Sequence, residues 1–210
     1  MRAATVPIAL MLSASAGFAA RERFDVVVRG GTVYDGTGAP GRKADVGLRG
    51  ERVAAVGDLK TAEAGRVVDA KGLAVSPGFI NMLSWATDSL MVDGRSMSDI
   101  KQGVTLEIFG EGWSMGPWTE AMKQEAKSQQ GDIKYDITWT TLGEYLDQLV
   151  ARGISPNVAS FVGATTLRIH ELGYADRAPT PEELARMQGL VRESMREGAL
   201  GVGASLIYAP

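Results

Sequence analysis

Hydrophobic residues in the first third of the chain come in short bursts separated by turn residues. Phe24–Arg29 alternates weakly and is rich in Val, which reads as a strand. Gly30-Gly31 is expected to turn the chain into a second short strand over Thr32–Tyr34, and Asp35-Gly36-Thr37-Gly38 has strong turn chemistry. Ala44–Arg49 and Arg52–Val56 flank Gly50-Glu51 as a hairpin. Arg66–Asp69 and Leu73–Val75 add two more strands, and this spacing predicts an all-β unit.

The period then changes. The apolar run Leu73–Ile80 is broken by Pro77-Gly78, after which Phe79, Ile80, Met82 and Leu83 read as a fully buried strand. Ser96–Gln102 is a short helix and Val104–Phe109 a β-branched and apolar strand closed by Gly110-Glu111-Gly112. Trp113–Asp136 is polar and long for a connection, which predicts a functional or mobile loop. Thr140 or Thr141 caps a helix whose face is Leu142, Tyr145, Leu146, Leu149 and Val150, ended by Gly153. Asn157–Val162 is a third strand. Thr180-Pro181-Glu182-Glu183 is a capping box that opens a helix with the stripe Leu184, Met187, Val191 and Met195, closed by Gly198 before a fourth strand over Leu200–Ile207. Strand and helix alternating at this spacing predict an α/β unit with a parallel sheet and right-handed crossovers.

Residues 1–19 form a separate signal. Arg2, the mainly apolar Ala3–Leu12 and the small residues of Gly17-Phe18-Ala19 predict a secretory signal peptide, too short in its apolar run to span a membrane. A periplasmic or secreted protein is therefore expected, with no membrane attachment after cleavage. Removing those residues takes one Arg and no acid from a chain of net charge −3. That mild acidity gives no reason to expect nucleic-acid binding. With 45% hydrophobic residues the 210-residue chain can support a buried core, and with no Cys it has neither disulfides nor thiolate ligands. The oligomeric state stays open.

Several segments carry a family resemblance. Pro77-Gly78-Phe79-Ile80 resembles the end of the first barrel strand in the amidohydrolase superfamily, and Val27–Gly38 resembles the small β-sandwich that precedes that barrel. Asp93-Gly94-Arg95, Ser98 and Gln102-Gly103-Val104-Thr105 are similar to the D-aminoacylase branch, the N-acyl-D-amino-acid deacylases, as is Gly201–Tyr208. The resemblance implies an N-terminal β-sandwich portion (20–75) followed by the first four strands of an incomplete (β/α)8 TIM-type barrel (76–210). Such a barrel needs roughly 250 residues, so the chain is expected to be the front part of a longer protein, inactive alone and prone to associate through its open strand edges.

The implied activity is hydrolysis of the amide bond of an N-acyl-D-amino acid or related small molecule, with zinc or one other divalent metal to polarise the carbonyl and activate water. The catalytic group is expected beyond Pro210. The family's metal-binding residues are largely replaced: Leu83 and Trp85 stand where the first strand carries two histidines, and Ala164 where a later His stands. Glu111, near the place of the branch's zinc-binding Cys, is the candidate metal ligand, or else a loop carboxylate. Tyr208, Ser114 and Trp85 are candidate substrate contacts, with rim anchoring the alternative for Tyr208 and packing for Trp85. His170 reads as a surface or helix-packing residue, and Arg168 is expected to pair with a carboxylate such as Asp176. The competing reading is a secreted amidohydrolase-like protein that has lost catalysis and binds a ligand.

Overall fold

A computed structural model describes residues 22–207. The predicted signal peptide and Tyr208 lie outside the described residues. The chain divides into two compact units, one ending at Pro77 and the other beginning at Gly78.

The first unit is a mixed five-stranded sheet. It contains β1 (Arg23–Val33), β2 (Arg42–Arg49), β3 (Arg52–Gly57), β4 (Glu63–Asp69) and β5 (Ala74–Val75). Their order is β3-β2-β1-β4, with β5 beside the far end of β1. β1–β2 and β2–β3 are antiparallel, whereas β4 and β5 run parallel to β1. The Gly50 hairpin forms as expected, with Arg49 opposite Arg52. Gly30-Gly31 does not turn the chain: it makes an irregularity within one eleven-residue strand, where Gly30 takes a φ of 74°. Asp45 holds that irregularity, because its carboxylate accepts from Gly30 N at 2.9 Å and from Leu59 N at 3.1 Å. Phe24, Val27 and Leu59 form the buried core. The described strands make a single sheet, so they do not by themselves complete a sandwich.

The second unit alternates strand and helix. Its strands are β6 (Phe79–Asn81), β7 (Val104–Phe109), β8 (Asn157–Ser160), β9 (Val162–Gly163) and β10 (Val202–Gly203). β6, β7 and β8 pair in parallel in chain order, and β9 pairs in parallel with β10. Phe161 separates β8 from β9, yet its N–H still donates to the Phe109 carbonyl at 2.9 Å. The expected fourth strand is thus cut to two residues. The helices are α1 (Met97–Ile100), α2 (Glu120–Gln129), α3 (Leu142–Arg152), α4 (Ala164–Leu172) and α5 (Pro181–Arg196). None of them is long and apolar enough to cross a membrane.

Two expectations fail here. Phe79 is 59% exposed, and Ile80, Met82 and Leu83 are exposed with it. β6 ends its sheet, so among the described strands it has a partner on one side only. Trp113–Asp136 is no bare loop: it contains α2 and sends Met115, Trp118 and Met122 into the core. Gly163 ends β9, and Ala164 begins α4 at once.

The core is aromatic. Trp139 lies 5.2 Å from Tyr145, 6.0 Å from Tyr135 and 6.1 Å from Trp118, measured between ring centres. Leu142, Tyr145 and Leu149 bury the predicted face of α3, while Val150 at its margin stays exposed. The stripe on α5 is narrower than its sequence suggests: Met187, Leu190 and Val191 pack against the core, but Leu184 and Met195 are exposed.

Both predicted caps form. Thr141 and Thr180 each accept from the third helical N–H, and Glu144 and Glu183 reach back to the cap backbone. Arg177 adds a paired contact that, together with the Thr180 N–H, holds the Glu183 carboxyl down at about 2. A depressed acid contributes its stability above its ordinary value of 4.5 and loses it as pH falls through about 2. Thr180→Ala is expected to cost about 1 kcal/mol in urea denaturation at neutral pH. A shift indistinguishable from zero would show that packing alone sets the start of α5.

Candidate functional site

The chain leaving β6 and β7, with Phe161 and β10, borders the recesses onto which Glu111 opens. Gly110 and Gly112 flank it with φ values of 95° and 78°, conformations in which a side chain is strained. These glycines also let strands approach one another. A Cβ on Gly110 would strike the Phe161 carbonyl, and one on Gly163 would strike the Gly112 carbonyl. Close packing of backbones therefore explains the glycines without a ligand. Their consequence is that Glu111 is carried past the strand end. It is half-buried and borders a narrow recess of about 30 Å³ with Leu83, Trp85, Thr87, Trp113 and Met115. It also borders an open recess of about 390 Å³ beside Met82, Phe109, Phe161 and Val202.

Four of the residues around the narrow recess, Trp85, Thr87, Trp113 and Met115, continue into a cleft of about 560 Å³. Trp85, at 64% exposure, stands on its wall rather than in the core. Across the cleft the Tyr135 hydroxyl donates to Asp88, and the Tyr174 hydroxyl donates to Glu125 at 2.8 Å. Burial, followed by the hydrogen bond to Asp88, pushes the Tyr135 phenol up, so it serves as a donor at neutral pH. Burial likewise raises Tyr145, whose hydroxyl donates to the Thr87 carbonyl at 2.9 Å.

Ser114 takes a different role from the expected substrate contact. It is 2% exposed, donates to the Gly116 carbonyl at 2.5 Å and accepts from Gly163 N at 2.9 Å. Its backbone carbonyl also accepts the Trp118 indole N–H at 2.9 Å. With its hydroxyl so used, Ser114 ties the turn after β7 to the start of α4. His170 lies on α4, 3.1 Å from the Glu171 carboxylate, and borders none of the three recesses. Arg168 does not pair with Asp176: it donates to the carbonyls of Ala175 and Arg177.

Glu107 is a further functional residue, and its signal in the sequence is a carboxylate inside the apolar run Val104–Phe109. Glu107 has no exposed surface. It accepts from Ser84 Oγ at 2.6 Å and from Ser96 Oγ at 2.7 Å. Ser96 does so from a left-handed backbone of φ 44°, rare for a residue with a side chain. The carboxylate thus fastens the turn carrying Trp85 and the turn before α1 to β7. Ser84→Ala removes one of those two donors from a buried acceptor and is expected to cost about 1–3 kcal/mol. Chemical denaturation tests this, and no measurable loss would mean that Glu107 is satisfied without Ser84.

Among the described residues no three His, Cys, Asp or Glu side chains converge to hold a metal ion. Glu111 has no hydrogen-bond or ion-pair partner among them and is the one carboxylate bordering both recesses at the strand ends. One carboxylate does not make a zinc site, which takes three or four protein ligands. The described residues therefore do not fit a bound metal on their own.

No family model matches the chain. Among curated proteins it is 38% identical over 192 residues to D-aminoacylase of Alcaligenes xylosoxydans xylosoxydans, covering 89% of this chain and 39% of that protein. It is 35% identical over 194 residues to N-acyl-D-glutamate deacylase of the same organism, covering 90% and 39%. Among solved structures, D-aminoacylase superposes with a TM-score of 0.78 at 36% identity, covering 89% of this chain and 40% of that one. N-acyl-D-glutamate deacylase from Bordetella bronchiseptica, solved with zinc and a phosphonate inhibitor, superposes with a TM-score of 0.77 at 31% identity, covering 90% and 40%. The chain spans about two fifths of the length of the curated relatives it matches. The family segments around Pro77, Gln102 and Gly201 thus lie in a matching fold as well as a matching sequence, and the chain matches the N-terminal part of D-aminoacylase and of the N-acyl-D-amino-acid deacylases.

Proposed function

We propose that the protein carrying this chain hydrolyses the amide bond of N-acyl-D-amino acids. The observation that carries this reading is the strand-end recess bordered by Glu111, which opens into an aromatic cleft large enough for an acylated amino acid. The named activities of D-aminoacylase and N-acyl-D-glutamate deacylase support it. In this reading the sheet of the first unit is a β-sandwich portion. β6, β7, β8–β9 and β10 are then the first four strands of a (β/α)8 barrel, in which reactive groups gather at the C-terminal ends of the strands.

The chain's own contribution is positional. Glu107 holds the turn that bears Trp85, the glycines hold Glu111 past the end of β7, and the aromatic wall keeps water away from a bound acyl compound. Zinc, bound in the Bordetella relative, is proposed for the whole protein with Glu111 as one ligand. No reaction step is assigned to it, because the described residues do not complete its site. The protein is proposed to be exported, on the pattern of Arg2, Ala3–Leu12 and Gly17–Ala19.

The test is amine release by the whole protein from N-acetyl-D-amino acids and from their L enantiomers. Release confined to the D series supports the reading. No release from any member of either series would overturn it.

A further inference from the structure

The 560 Å³ cleft has a charge character of its own. Its walls carry the rings of Trp85, Trp113, Trp118, Tyr135 and Tyr174. Asp88, Glu125 and Asp132 line it, and among the described residues no Lys, Arg or His does. The nearby lysines of this lobe are each engaged by other groups. Lys123 binds Glu120 and Thr140, Lys127 pairs with Asp136, and Lys134 donates to the carbonyl of Gln130 on the cleft's edge. Asp88 accepts from the Tyr135 hydroxyl and, at 3.5 Å, from Thr87, and Glu125 accepts from Tyr174 and Gln129 on one oxygen; a carboxylate has room for further donors. Aromatic faces and carboxylates in one recess both favour positive charge, and like charges disfavour an anion.

The geometry points to a binding site for a cationic head group, an ammonium or guanidinium, on an apolar or aromatic stem. The stem lies against Trp85 and Trp113, and the head group faces Asp88, Glu125 and Asp132. The cleft shares Trp85, Thr87, Trp113 and Met115 with the recess beside Glu111. If the deacylase reading holds, on which this clause alone rests, the cleft takes the side chain of a basic D-amino acid and repels that of an acidic one.

Two measurements on the whole protein test this. Calorimetric titration with tryptamine and with indole-3-propionate compares a cation and an anion on the same ring. Tryptamine is expected to bind roughly tenfold more tightly, a factor within the range of a cation held by aromatic rings. Trp85→Ala and Asp132→Asn, both at exposed positions, are each expected to weaken tryptamine several-fold. Equal or tighter binding of indole-3-propionate, or no binding of tryptamine, overturns the proposal, as does unchanged affinity in both variants. The second measurement compares turnover of N-acetyl-D-arginine and N-acetyl-D-glutamate. Preference for the glutamate compound overturns the cleft's part in substrate choice while leaving the deacylase reading in place. Tryptamine binding without turnover of any N-acyl-D-amino acid upholds the cleft and removes the deacylase reading.

Discussion

Replacing Trp139 with alanine is expected to cost the second unit at least about 4 kcal/mol, the range for a large aromatic residue lost from a core. The residue is 1% exposed and contacts Trp118, Tyr135 and Tyr145. Its indole N–H donates to the Met115 carbonyl at 2.6 Å, so truncation also leaves a buried acceptor without its donor. A domain stable by only about 5–15 kcal/mol then loses a large part of its margin. Urea denaturation of Trp139→Ala and Trp139→Phe separates the two contributions. The phenylalanine variant restores much of the packing and none of the hydrogen bond. A loss below about 1 kcal/mol in the alanine variant, the usual scale of a surface change, would show that the aromatic cluster is not the keystone of this unit.

The second large effect falls on activity. In the whole protein Glu111→Ala is expected to lower turnover by at least about two orders of magnitude, the usual loss for a group acting directly on the reaction. The fold should survive, because the side chain is half-buried and makes no hydrogen bond among the described residues. The flanking glycines, which set the local backbone, are untouched. Zinc content by elemental analysis, turnover and the urea midpoint should be measured together. Unchanged zinc and unchanged turnover would reduce Glu111 to a loop carboxylate. A collapsed midpoint would show a structural part instead.

The whole of β7, the start of α3 and the start of α5 were legible in the sequence because their causes are local. A β-branched run ends in glycine, and a Thr with Glu three residues later satisfies the open helix amides. Gly50 and Gly153 likewise announce a hairpin and a helix end by needing a left-handed backbone. Glu111 was visible for the same reason, as a carboxylate caught between two glycines.

The misreadings concern long-range partners. Gly30-Gly31 has the composition of a turn, but pairing with β2 on one side and with β4 and β5 on the other keeps it within one strand. Trp113–Asp136 looks polar when averaged over its length. Its few tryptophans and methionines become core only once Trp139 and Tyr145 supply the opposite wall. Ser114 looked free to meet a ligand until Gly163, 49 residues away, took its hydroxyl. Glu107 gains its meaning from serines 23 and 11 residues away, which no local pattern links to it. Sequence alone thus determined β7, the Gly50 hairpin, the capped starts of α3 and α5 and the family resemblance, since turn chemistry and hydrophobic period act over a few residues. Tertiary structure decided which polar groups are buried and which aromatic rings face the cleft, since both depend on partners brought together only by folding.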